Sequence, residues 1–285
     1  MSTDNKGGRE LPISEGELAR LTEELDGAHR ATLPAMTASA RDLSRELRDL
    51  SGGGDGGGGG TTDGDRERHA HLARRRFLVG AGASAALLAL AACGGKSEVD
   101  AAGPSPSGSG ASPSASGTYT GDLKVVALAV ALENQAVGAY EAALAAAKAG
   151  KLGTVPPAFT TFAQTAMAQH KDHANVWNDV LASSGKPKIT GVPLSNQAAV
   201  TKALGQVKDV PGVARLALRL EDQAAQTYVF ATFNVKSAGG INTAATIAPV
   251  EAMHASILHF VLGQYPVPDT FIGTDKAASP ALLTV

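Results

Sequence analysis

Residues 122–150, DLKVVALAVALENQAVGAYEAALAAAKAG, decide the fold. Val126, Val130, Val137, Tyr140 and Leu144 recur at helical spacing, and Glu133 is the only carboxylate on the face they share. Residues 211–235 repeat the arrangement: Leu218, Glu221, Ala225 and Tyr228 lie on one face, again with a Glu seven residues before a Tyr. Two further segments keep the same periodicity. Residues 157–184 carry Ala166, His170, His173 and Trp177 along one face, and residues 241–262 carry Val250, Glu251, His254 and Leu258. Breakers fall at Gly153, Pro156 and Pro157 and at Ser237-Ala238-Gly239-Gly240, so the segments pair into two short-linked antiparallel hairpins. The stretch 185–210 between them is long enough to run the length of a bundle, with an extended start at 188–193 and a short helical piece around 198–207. The expectation is an all-α antiparallel four-helix bundle within residues 120–285, with one long crossover between its second and third helices.

Composition agrees. Of 285 residues 44% are apolar but only 4% aromatic, which favours closely packed helices over a β-rich core. The formal net charge of −2 offers no footprint for a polyanion, so nucleic acid is not an expected partner. A single cysteine excludes an internal disulfide, Cys-rich zinc sites and iron–sulfur clusters, leaving His and carboxylates to hold any metal.

Those residues exist in a joint pattern. Counted from the two turns, Glu133, His170, His173, Glu221, Glu251 and His254 fall near one height, and the i, i+3 spacing puts each pair on one face. Buried ions are costly unless paired or metal-bound, so six ionisable residues on four inward faces call for a cation.

This constellation resembles the ferritin-like superfamily of carboxylate-bridged di-iron or di-manganese proteins, where one Glu comes from each of two helices and a Glu-x-x-His from each of the other two. ENQAVGAY supplies Glu133, EDQAAQTY supplies Glu221, and EAMH supplies Glu251 and His254; the resemblance covers residues 121–263. It implies a dinuclear iron or manganese centre with reactivity toward O₂ or peroxide. Tyr140 and Tyr228 would donate across the bundle to ligand carboxylates, and a homodimer is a possible assembly. One position departs from the family pattern: HKDH puts His170 where a bridging Glu is expected. Three Glu then face the charge of two divalent ions, where four would balance it. Asp172 and Gln169 are read as projecting away from the face of His173, and His259 as lying off the site. Two functions stay open, a di-metal oxidoreductase and a non-enzymatic envelope binding module whose site is degenerate or empty.

The front of the chain reads as an address. Residues 66–93 contain Arg74, Arg75, Phe77 and Leu78, which fit the core of a twin-arginine export signal, then an apolar run too short to span a bilayer, then Leu90-Ala91-Ala92-Cys93-Gly94, which resembles a bacterial lipobox. Cleavage before Cys93 and lipid on its thiol would anchor the domain at the extracytoplasmic face of the membrane after passage through the twin-arginine machinery. Residues 94–119, rich in Gly, Ser, Pro and Ala, form a flexible tether. Residues 1–65 are expected to be a cytoplasmic leader, disordered or weakly helical. Ser14 with Glu17 is a capping box, but the Leu18/Leu21/Leu25 and Leu43/Leu47/Leu50 stripes are short and Pro34 interrupts.

Overall fold

The computed structural model describes residues 13–52, 117–267 and 272–285. The twin-arginine residues Arg74, Arg75, Phe77 and Leu78, the lipobox Cys93 and most of the tether lie outside the described residues. Six helices follow in order: α1 Glu15–Gly52, α2 Asp122–Lys148, α3 Pro157–Ser183, α4 Gln197–Gly205, α5 Val210–Asn234 and α6 Ala238–Val261, then a 3₁₀ turn Pro280–Leu282. Among the described residues the only β feature is an isolated bridge, Leu194 with Leu283.

Local chemistry sets the boundaries. Gly150 and Gly153, at φ 70° and 71°, turn the chain between α2 and α3 in a conformation that favours glycine. Pro157 opens α3, where its missing N–H costs nothing. Asp209 caps α5 by accepting from the Gly212 N–H at 2.7 Å. The α2/α3 and α5/α6 hairpins form as the spacing predicts, and α2 packs on α5. The crossover is pinned to the first hairpin by Asn178, whose side chain meets both the N–H and the C=O of Ile189 at 2.8 and 3.0 Å. The C-terminal tail returns to this crossover, where the Ser195 N–H donates to Leu282 O and the Thr284 N–H to Pro193 O, each at 2.9 Å. By length and composition α6 could cross a membrane, yet over half of its apolar window is buried in the bundle, as in a core helix.

The leader expectation is corrected by the structure. Residues 15–52 are one continuous helix, opened by the Ser14/Glu17 capping box, and this helix packs along both α3 and α6. Those two helices are not a closely packed pair themselves. The folded unit is therefore a ring of five long helices in the order α1, α3, α2, α5, α6. The two short stripes merge into one, with Leu18, Thr22, Leu25, His29, Met36, Ala40 and Leu43 buried. Pro34 stays within the helix with its ring exposed, at the cost of one missing backbone hydrogen bond and crowding of the carbonyl four residues before it. Each fully buried Leu or Met contributes about 1.5–3 kcal/mol, which offsets that loss once a partner surface exists.

A second correction concerns the glycine pair. The expected turn at Ser237-Ala238-Gly239-Gly240 is the first turn of α6, which begins at Ala238. A Cβ on Gly239 would lie 2.2 Å from Leu43 N and 2.6 Å from Ser39 O of α1, so glycine serves here for close helix approach. Around it, Glu46 accepts from the Ala238 and Gly239 N–H groups at 3.0 and 3.1 Å, and the Ser39 and Thr243 hydroxyls pair at 2.8 Å. An acidic cap at an exposed helix N-terminus also complements the helix dipole.

Besides a small apolar cluster of Leu128, Ala131, Leu194 and Ala278 beside the crossover, the core divides into two large ones. One gathers Leu18, Leu25, Phe159, Phe162, Val213 and Leu258 toward the α2/α3 turn. The other gathers Met36, Leu43, Val126, Val130, Trp177, Leu181 and Ile247 toward the opposite end. A buried polar layer lies between them.

Candidate metal centre

All six residues expected to hold a metal meet in that layer, each 2% exposed or less. They divide into two overlapping groups whose ligand atoms lie within 4.8 Å of one another: Glu133, His170, His173 and Glu251, and His170, Glu221, Glu251 and His254. These buried groups can hold metal ions. The His173 Nδ1 lies 2.9 Å from Glu251 Oε1 and 3.5 Å from Glu133 Oε1. On the other side, His254 Nδ1 lies 3.2 Å from Glu221 Oε2 and 3.4 Å from Glu251 Oε2. Glu251 thus turns one oxygen to each group, and neither oxygen has a hydrogen-bond partner.

His170 is also shared. Its Nδ1 lies 2.7 Å from Glu133 Oε2 and its Nε2 3.2 Å from Glu221 Oε1. The tyrosines sit as the resemblance implies: Tyr140 donates to Glu221 Oε1 at 2.5 Å, and Tyr228 makes a short hydrogen bond to Glu133 Oε1. Trp177 Nε1 donates to the Tyr228 oxygen at 3.0 Å.

Electrostatics couples these groups tightly. Burial pushes the Glu133 carboxyl up, but His173 and His170 outweigh it and hold the pKa down at about 2. Burial pushes His173 down, and the Glu133 and Glu251 carboxylates raise it instead to about 9. His170 is raised well above the usual imidazole range, since Glu251, Glu221 and Glu133 overcome its burial. His254 is raised by Glu221 and Glu251 against the same penalty. The Glu221 carboxyl is held well below its usual range by His170 and His254, again against burial. Burial first, then the carboxylates each faces, push both phenols well above their usual range, so Tyr140 and Tyr228 stay protonated donors.

Two residues of this layer escape the sequence reading. Gln169 is buried and its Oε1 accepts from His254 Nε2–H at 2.8 Å, so the expectation that it projects away is corrected. It stands one turn before His173, and i, i+4 residues share a face. His29, from α1, is 2% exposed, with Nε2 at 3.2 Å from Asp172 Oδ2 and its ring 5.1 Å from that of His173. Its signal was a polar residue within the α1 apolar stripe. Asp172 and His259 stay outside both groups, and His259 Nδ1 pairs with Gln264 at 2.7 Å near the end of α6.

A family described as a ferritin-like domain matches residues 121–264, about half the chain and all of the α2–α6 bundle. No curated protein and no solved structure gives a significant match.

Proposed function

The chain belongs to the ferritin-like domain family, and from that premise we propose that its bundle holds a dinuclear iron or manganese centre serving a redox reaction with O₂ or peroxide. The observation that carries this reading is Glu251, a fully buried carboxylate with no hydrogen bond to either oxygen, each turned to a different His/Glu group. A buried carboxylate without hydrogen bonds is costly, and a pair of cations would relieve it. Carboxylate oxygens with neutral imidazoles suit iron and manganese, and when bound these ions supply one-electron chemistry toward O₂ or peroxide.

The chain's own residues would do the rest. Tyr140 and Tyr228 fix the orientation of Glu221 and Glu133, and Gln169 fixes that of His254. The apolar clusters above and below exclude water. A cavity of about 10 Å³ between α2 and α5 is bordered by Glu133 and His170. It has room for about one water-sized molecule, which favours a very small substrate over an organic one.

One observation favours a second reading, a bundle whose site needs no metal: three carboxylates and three raised imidazoles can neutralise one another. Metal analysis separates the two. The full chain folded in the cytoplasm should carry at least one equivalent of iron or manganese and melt at higher temperature when loaded, because a ligand bound only by the folded state raises stability. Metal content well below one equivalent, with melting indifferent to iron, manganese and zinc, would establish the second reading.

We further propose that the α2–α6 domain works at the extracytoplasmic face of the membrane, exported through Arg74 and Arg75 and anchored by lipid on Cys93; cleavage before Cys93 removes α1, so α1 is seated on the bundle only in the uncleaved chain. Cys93→Ser should release it from the membrane fraction, and Arg74→Lys with Arg75→Lys should retain it inside. Wild-type chain found unlipidated and soluble would refute the anchor.

A further inference from the structure

His173 and His254 occupy equivalent places in the two groups, yet they are supported differently. Each turns Nδ1 toward the carboxylates. Behind His254, Nε2 is met by Gln169. Behind His173, Nε2 is buried and has no partner. A metal-ligating histidine almost always donates its second N–H to an acceptor that fixes its tautomer and ring orientation, and no residue of α2–α6 meets this nitrogen. The neighbour in place is His29 of α1. Its ring stands edge-on to that of His173, with an interplanar angle of 66°. Its Nε2 is turned to Asp172, and its Nδ1 is likewise a buried nitrogen without a hydrogen-bond partner.

We propose that His29 is a positioning residue of the metal centre, contributed by α1: with its Nε2–H donated to Asp172, its Nδ1 accepts the Nε2–H of His173 when His173 Nδ1 holds the metal. The chain Asp172–His29–His173 then plays for one metal position the part that Gln169 plays for the other. This role rests on the metal reading above. It also explains why α1 is seated so specifically. Gly239 admits its backbone, Glu46 caps α6, and Ser39 pairs with Thr243, which together hold His29 at the height of the polar layer. In the uncleaved chain α1 thereby belongs to the site as much as to the fold.

The test uses the full chain, stripped of metal and titrated with Mn²⁺ and with Co²⁺, whose visible absorption reports ligand geometry. His29→Leu fills the space without a polar atom. It should weaken the tightest site by about 10- to 100-fold and change the Co²⁺ spectrum. His29→Gln, which keeps an acceptor and a donor, should restore most of the affinity. Leu18→Ala opens a cavity near the start of α1, away from the centre, and should lower the melting temperature while leaving affinity and spectrum alone. Wild-type affinity and spectrum in His29→Leu would overturn the proposal. If His29→Leu does not fold, Asp172→Ala decides: its side chain is half exposed, and an unchanged affinity there overturns the relay while a loss supports it. Wild-type chain that binds neither ion sinks the metal reading itself, an outcome distinct from a failure of His29.

Discussion

The two hairpins put the same chemistry at the same height and part at one residue. In α5 and α6, Glu221 and Tyr228 are answered by Glu251 and His254; in α2 and α3, Glu133 and Tyr140 are answered by His170 and His173. Glu251 leaves two buried oxygens without hydrogen bonds, whereas His170 reaches Glu133 and Glu221 directly at 2.7 and 3.2 Å. One hairpin presents charge that calls for a cation, and the other supplies a titratable cation of its own. The difference teaches that proton and metal compete for one buried layer, and that residue 170 sets the balance.

Removing Glu251 should break the comparison most severely. Both groups share it, so Glu251→Ala should abolish metal binding at both positions, and Glu251→Ala with His254→Ala should do the same; metal analysis after desalting checks this. Stripping one partner from a buried charge network costs about 3–5 kcal/mol, so the metal-free variant should also melt earlier. His170→Glu makes the hairpins alike. A fourth carboxylate in place of an imidazolium should destabilise the metal-free protein by a similar 3–5 kcal/mol, recovered on adding Mn²⁺ with two ions bound per chain. An unchanged metal-free melting temperature would show that His170 does not compensate the carboxylates.

Acidity sharpens the contrast more gently. Glu133 falls from 4.5 to about 2 on folding, so its contribution is complete above pH 4.5 and is lost as pH falls through about 2. His173 rises from 6.5 to about 9, so its contribution is complete below pH 6.5 and is lost as pH rises through about 9. The metal-free chain should therefore be most stable between about pH 4.5 and 6.5 as far as these two groups decide. Metal must displace the His173 proton, so affinity should climb from pH 6.5 toward about 9. Melting curves across this range, with and without Mn²⁺, should diverge as pH rises; parallel curves would mean that His173 keeps its proton in both forms.

Much of this was legible because the bundle's signals are local and repeated. Glu133 with Tyr140 and Glu221 with Tyr228 mark two helices, while His170/His173 and Glu251/His254, each spaced i, i+3, mark the others, and short breakers fix the hairpins. What escaped depends on a partner surface far away in sequence. The α1 stripe holds too few apolar residues to fold alone and is crossed by Pro34, so nothing local announces that Leu18, Leu25, Met36 and Leu43 have α3 and α6 to pack against. Gly239 looked like a turn because glycine's second use, close approach, is invisible until the approaching backbone is known. His29 was hidden with its helix.

The smallest difference lies in the tyrosines. Tyr140→Phe removes one hydrogen bond to the charged Glu221, and Tyr228→Phe one to Glu133; bonds to charged groups contribute about 1.5–3 kcal/mol. The pair is unequal all the same, because the Tyr228 oxygen also accepts from Trp177 Nε1 in the buried layer. Phe at 228 leaves that N–H without a partner, and an unsatisfied buried donor costs about 1–3 kcal/mol more. Tyr228→Phe should therefore destabilise the chain by roughly that margin beyond Tyr140→Phe in denaturant melts. Adding Trp177→Phe removes the orphaned donor, so the cost of Tyr228→Phe measured in that background should shrink toward that of Tyr140→Phe, with the double-mutant cycle giving the coupling directly. Equal costs for the two single variants would show that Trp177 takes no hold on the first hairpin's carboxylate, and that the hairpins differ energetically at residue 170 alone.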